Sequence, residues 1–174
     1  MGNLRKIFIY LFLFCFLQTN LFADTPYFLD FKYILNESDA GKKAQDELKN
    51  KLNKGIQNLQ NKEKKIQDEE KKIISQKKVL SPEDYKKKVT ELRTKVSSLQ
   101  QERNKLLESV SKQRTKARNE LLKNLNPIIK DYMKKKNIRM VVDKKSLLLA
   151  DENLNITKEI MTLLNQKLKS INLN

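Results

Sequence analysis

Histidine and tryptophan are missing from the chain altogether, and cysteine occurs once. Without imidazole there is no Ser-His-Asp triad, no histidine general base and no ordinary histidine zinc site. The single cysteine, Cys15, lies in an apolar run near the N-terminus and follows Phe-Leu-Phe, not the small residues of a lipoprotein cleavage site. The rest of the chain therefore has no thiol nucleophile, no thiolate ligand and no disulfide. Glycine is nearly as scarce: beyond the N-terminal segment Gly41 and Gly55 stand alone, so neither a phosphate-cradling loop nor a dinucleotide-binding turn exists. With 3 glycines and 3 prolines, turn formers are too few for an all-β domain. The acidic run Asp68, Glu69, Glu70 alternates with lysine pairs in a helical pattern and reads as solvated charge, not as a metal site. The expectation is a protein that is not an enzyme and holds no cofactor and no metal.

What is present begins with a separate N-terminal unit, residues 1–23. Arg5 and Lys6 precede an apolar run from Ile7 to Leu17, and a polar stretch follows that ends at Ala23. This is the layout of a secretory signal peptide, and the run is shorter than the roughly 20 residues a spanning helix needs. Cleavage is expected after about Ala23. An uncleaved anchor is the alternative, since Leu21 is not the small residue expected at its position. Either way the remainder lies outside the cytoplasm.

The remainder is strongly basic. The full chain carries 37 Lys and Arg against 21 Asp and Glu, and removal of Arg5 and Lys6 leaves 35 against the same 21. From Asp39 to Asn126 there are 24 basic and 13 acidic residues, so the excess concentrates in the middle of the chain. Such a field attracts anionic lipid headgroups, acidic polypeptide or nucleic acid. Export and the lack of aromatic residues interleaved with the lysines argue against a specific nucleic-acid partner.

The same middle region is helical by its periodicity. After Pro82, Tyr85, Val89, Leu92, Val96, Leu99, Arg103, Leu106, Val110, Gln113 and Ala117 recur at alternating steps of four and three, a heptad seam with two polar breaks. Before Pro82, Leu52, Leu59, Ile66, Ile73 and Leu80 recur every seven residues, with Ile56 between. Residues whose numbers sum to 162 then face each other if the chain folds back at Leu80, Ser81 and Pro82: Ile73 with Val89, Ile66 with Val96, Ile56 with Leu106. A single straight helix gives no reason for seams to mirror about a proline. Ser81 is a good N-cap and Pro82 suits a first helical position. The reading is an antiparallel hairpin over 39–126 with its tip at 79–82 and a length of roughly 60 Å. Glu63, Glu70 and Lys77 thin the first seam, and Gly55 weakens that helix by ~1 kcal/mol relative to alanine.

The two ends, 24–38 and 127–174, are expected to form one small body. Tyr27 to Phe31, including Phe28 and Leu29, has strand character, as do Arg139 to Val142 with Met140 and Val141, and Ser146 to Ala150 with Leu147, Leu148 and Leu149. Asn126-Pro127 suggests a kink or a fresh helix to about Lys136. A helix from about Ile156 to Leu168, capped by Asn155, buries Ile160, Leu163, Leu164 and Leu168. A body of about 55 residues is marginal alone, which points to self-association. The fold class is α+β, predominantly helical: a coiled-coil arm on a small β-containing oligomerisation body.

Two segments carry a resemblance. FLDFKYILNESDAGKKAQDEL resembles the opening of the OmpH/Skp-like periplasmic chaperones, and NIRMVVDKKSLLLADENLNITKEIMTLLN resembles their closing segment. Asn155 stands where the family often has an acid, and the thin first seam departs from it as well. The resemblance implies a periplasmic homotrimer whose three hairpins surround a cavity, an ATP-independent holdase that binds unfolded outer-membrane proteins and delivers them towards the outer membrane. Some relatives bind lipopolysaccharide through basic residues; Lys112, Arg114, Lys116 and Arg118 are the candidates here for an anionic contact. An envelope spacer protein that binds one fixed partner is the alternative.

Overall fold

The computed structural model describes residues 25–173, so the expected signal peptide lies outside the described residues. The chain begins with a short strand, β1 (Tyr27–Leu29), followed by helix α1 (Phe31–Glu37) and the long α2 (Asp39–Ser75). A turn leads into α3 (Pro82–Lys136), then strand β2 (Val141–Asp143), two single 3-10 turns and α4 (Thr157–Lys167). Helices α2 and α3 pack antiparallel as the hairpin that the mirrored seams predict. At ~1.5 Å per residue α2 is about 55 Å long.

Local chemistry sets each boundary. At the tip, Ser81 Oγ accepts from the Asp84 N–H at 3.1 Å and Pro82 occupies the start of α3, where its missing N–H has no cost. Lys77 lies 5.9 Å over the Tyr85 ring and closes the turn. Ser38 plays the same part between α1 and α2. It is fully buried, its Oγ accepts from the Gly41 N–H at 3.2 Å, and its own N–H donates to the Ile34 carbonyl. A Cβ at Gly41 would lie 2.1 Å from the Leu35 carbonyl oxygen, so only glycine fits beneath that corner. Asn137 ends α3 in the left-handed region, φ 53°, with Ile138 N–H reaching back to the Met133 carbonyl and three lysines in the last turn.

The body gathers both ends of the chain. β1 and β2 pair in parallel, Tyr27 with Val141, Phe28 with Val142 and Leu29 with Asp143. The Ile156 N–H donates to the Phe28 carbonyl, the Asp30 N–H to Thr157 Oγ1 and the Asp39 N–H to Asn165 Oδ1. These bonds seat α4 against the start of α1 and α2. The core is a single cluster of aliphatic side chains, centred on Ile34, Leu121, Leu125, Ile128, Ile160 and Leu164, all almost completely shielded.

Several expected elements differ. Phe31 is not in the first strand: the Asp30 carboxylate accepts from the Tyr33 N–H at 2.8 Å, caps a helix and makes Phe31 its first residue. No strand spans Ser146 to Ala150. Asp143 Oδ1 accepts from the Lys145 N–H and turns the chain into a 3-10 segment, and Leu147, Leu148 and Leu149 follow as irregular backbone with no partner strand among the described residues. Met140 precedes β2, although its carbonyl accepts from the Tyr27 N–H. No new helix begins at Pro127, because α3 runs through it; Leu125 and Ile128 are buried on either side and their packing outweighs the lost backbone bond. Asn155 is not the N-cap of the last helix: Ile156 holds that position without a side-chain cap bond, and Asn155, one residue earlier, accepts from the Thr157 N–H at 3.1 Å in the turn that leads in.

Candidate functional site

Beyond its base, each helix of the arm packs only on the other among the described residues. Its two helices are tied by charge as much as by apolar contact. Lys62 reaches Glu102 at 2.5 Å, Lys95 reaches Glu69 at 2.6 Å and Arg103 lies 3.8 Å from Glu63. Lys51 Nζ donates to Ser109 Oγ at 2.9 Å and to Gln113 Oε1 at 2.8 Å. Arg103 and Gln113, the two polar breaks in the seam, are thus cross-arm ties. Half-exposed ion pairs of this kind stabilise by at most about 1 kcal/mol each, so they set register without clamping the helices.

Between these ties the arm is open. Ile66 and Leu99 face a gap of about 340 Å³ whose rim includes both the Lys62–Glu102 and the Glu69–Lys95 pairs. Ile56, Ile74, Val96 and Leu107 are exposed along the arm, and Val79 at the tip is 83% exposed. Seven lysines surround that tip, Lys71, Lys72, Lys77, Lys78, Lys86, Lys87 and Lys88, against Glu83 and Asp84. The surface therefore combines scattered apolar side chains with a dense positive field, which suits many weak contacts to a flexible partner. Gly55 is the exception to the looseness. Leu106 lies so close that a Cβ at Gly55 would fall 2.5 Å from its Cδ2, so the missing side chain is the space that Leu106 fills.

The candidate anionic residues divide between two stripes. Steps of two residues turn a helix by about 200°, so Lys112 and Lys116 share one stripe and Arg114 and Arg118 another. Lys112 pairs with Glu108 at 2.7 Å, and that bond holds the Glu108 carboxyl below its ordinary range. Arg114 and Arg118 instead border a groove of about 680 Å³ at the base of the arm, between α2 and α3. Leu80, Ser81 and Pro82 form the tip. In the body, Phe28 and Leu29 are buried, Val141, Val142 and Leu147 are half-buried, and Met140, Leu148 and Leu149 are exposed, Leu148 completely.

Sequence reasoning missed one participant. Residues 168–173, after α4, cross back to the arm, where Ile171 and Leu173 are buried and the Gln113 amide donates to the Leu173 carbonyl at 3.1 Å. The alternation of Ile171, Asn172 and Leu173 was the available signal, too short to stand out.

A parallel strand pair and a short helix that gather the two ends of a long, charged helical hairpin define the class of arm-bearing proteins to which the fold belongs. The chain belongs to the OmpH-like outer membrane protein family, which it matches over residues 27–164. Among solved structures it is similar to a candidate outer membrane chaperone, OmpH-like, from Caulobacter crescentus, at 17% identity and a TM-score of 0.79, covering 85% of this chain and 89% of that one. That likeness establishes the shared fold. No curated protein matches the sequence. Among the described residues no helix is long and apolar enough to cross a membrane.

Proposed function

We propose that this protein is an ATP-independent periplasmic holdase that binds unfolded outer-membrane proteins, keeps them from aggregating and delivers them towards the outer membrane. The observation that carries the reading is the arm: about 55 Å of thinly seamed helical hairpin with apolar side chains standing singly among lysines. An unfolded barrel protein exposes strands that pair edge to edge and aggregate. Many weak, separate contacts hold such a chain apart without imposing a shape, and cost no nucleotide. The family membership and the apparent signal peptide agree with this role.

The working form in this reading is a homotrimer assembled through the body. Among the described residues β2 pairs with β1 on one side alone, and Met140, Leu148 and Leu149, which precede and follow it in the chain, are exposed. An open strand edge flanked by bare leucines suits a second copy of the same chain, which would also supply the partner that Ser146 to Ala150 lack as a strand. The lysine-rich tip gives the arm affinity for an anionic lipid or lipopolysaccharide surface.

The test is light scattering of a urea-denatured outer-membrane barrel protein diluted into buffer. Addition of the protein at one trimer per barrel should abolish the rise in scattering, without ATP. Unchanged aggregation would contradict the holdase reading, and capture of one folded envelope protein instead of unfolded barrels would favour a spacer that binds a fixed partner.

A further inference from the structure

Helix α3 has 55 residues and α2 has 37, so in the hairpin the last turns of α3 run on past the start of α2. They end about 80 Å along the helix from the tip. Lys134, Lys135, Lys136 and the C-cap Asn137 are all exposed. Successive residues turn by about 100°, so four in a row go round most of the helix, and its end stands clear of the body on nearly every side.

This body end is basic in its own right. Between Pro127 and Val142 the chain carries Lys130, Lys134, Lys135, Lys136 and Arg139 against one acid, Asp131. The four lysines have no ion-pair or hydrogen-bond partner for their ammonium groups among the described residues. Lys144 and Lys145, farther along, are by contrast paired with Glu152 and Asp143. The negative end of the helix dipole offsets only about half a charge, so a positive field remains. Lys130, Met133, Lys134 and Asn137 share one face. With Ile138 and Arg139 they line an open cleft of about 620 Å³ in which no carboxylate appears. Met133 is half-buried, Ile138 is buried and Met140 is 57% exposed, so apolar surface accompanies the cations.

The geometry favours a surface over a small anion. Lys134, Lys135 and Lys136 diverge over about 200° and do not converge on one phosphate. Set end-on against a plane, the helix brings all three to it, because long lysine side chains bend towards the charge they seek. Clusters of four or more exposed cations with apolar neighbours suit an anionic bilayer. The cleft has no aromatic lining on which a base could stack, which disfavours single-stranded nucleic acid.

We propose that the body end of α3 docks end-on against an anionic lipid bilayer, with the arm projecting away from the surface. The proposal goes beyond the holdase reading and does not depend on it. It makes the body end a second basic pole, at the opposite end of α3 from the lysine-rich tip. A molecule held there keeps the whole arm free.

The probe is vesicles of equal parts phosphatidylglycerol and phosphatidylcholine, followed by co-sedimentation, with phosphatidylcholine alone as the baseline. Two variants each lose four charges: Lys130→Gln, Lys134→Gln, Lys135→Gln and Lys136→Gln at the body end, and Lys78→Gln, Lys86→Gln, Lys87→Gln and Lys88→Gln at the tip. The tip variant should still bind. Adding the four body-end substitutions to it should weaken binding by about a hundredfold, since each lysine near an anionic surface contributes about fivefold. Loss of all binding in the tip variant, or unchanged binding when the body-end lysines are replaced, would overturn the proposal. So would release by inorganic phosphate beyond that by sodium chloride of equal ionic strength, which would make the cluster a small-anion site. Weaker suppression of barrel aggregation with unchanged vesicle binding would overturn it too, by making the cluster a client contact. Lysine acetylation read by mass spectrometry tests the unsubstituted protein: the anionic vesicles should slow modification of Lys134, Lys135 and Lys136 and leave Lys64 on the arm unchanged. Slowing confined to the tip lysines would contradict the docking.

Discussion

The base of the hairpin and its outer half are built from the same two helices, yet only the base has a third layer. Near the body α2 buries Ala40, Gly41, Ala44 and Leu48 at close spacing, and α3 buries Val110, Leu121, Leu125 and Ile128. Farther out α2 buries only Leu59 and Ile73, and α3 buries nothing between Pro82 and Ser109. At the base, α1, α4 and the tail cover the apolar stripe. In the outer half each helix has one partner, and much of the stripe remains in contact with water. Burial is what stabilises a helix in a protein, so the two halves should differ in stability along continuous helices. In the proposed role, a firm foot would fix the assembly while a yielding arm adapts to clients of different size.

The largest expected effects would break that contrast. Ile160→Ala, in the fully shielded centre of the body, should cost about 4 kcal/mol, whereas Ile66→Ala in the gap of the outer arm should cost about 1 kcal/mol or less. Urea unfolding of the two variants checks this, and similar losses would mean that the arm is as firmly packed as the body.

The two glycines sharpen the same comparison. Gly41→Ala places a methyl group against the Leu35 carbonyl, which is backbone and cannot swing aside, so a loss of about 3 kcal/mol is expected. Gly55→Ala meets only the end of the Leu106 side chain and gains ~1 kcal/mol of helix propensity, so the net change should be near zero or a loss of about 1 kcal/mol. Combination of Gly55→Ala with Leu106→Ala should relieve the overlap. Thermal unfolding of the three proteins gives the ordering.

The smallest effect concerns pH. The Glu108 carboxyl is held below its ordinary range by hydrogen bonding to Lys112, so this pair contributes above the usual carboxylate pKa of about 4.3 and its contribution is lost as pH falls through the depressed value. Both side chains are exposed on the arm. Lowering the pH should therefore fray helicity slightly in the wild type and leave a Glu108→Gln variant insensitive to that step, as read by circular dichroism. A large loss at this site would mean that the exposed pair is central to the arm.

Features written in local chemistry were legible in the sequence. The tip at Ser81 and Pro82 follows from a cap and a proline, and the mirrored seams follow from heptad spacing, though the observed ties pair residues whose numbers sum to between 160 and 166 instead of strictly 162. Features that depend on a distant partner were not. Nothing around Gly55 or Gly41 announces that Leu106 or the Leu35 carbonyl will lie against it. Arg103 and Gln113 look like breaks until Glu63 and Lys51 are placed opposite. The strand expected at Leu147 to Leu149 has the right composition but no neighbour within its own chain, and Pro127 looks like a helix start only while the packing around it is unknown. Of the candidate cations, spacing by two could not reveal that Arg114 and Arg118 turn towards a groove and Lys112 away.

The central claim, that the yielding arm and not the body holds an unfolded client, is tested most directly by amide hydrogen exchange with and without a denatured outer-membrane barrel protein. The account predicts that the outer halves of α2 and α3 exchange fast alone and slow down when the client is bound, while β1, β2 and α4 are protected throughout. Slowing confined to the body, or no slowing anywhere under conditions where aggregation is suppressed, would contradict it.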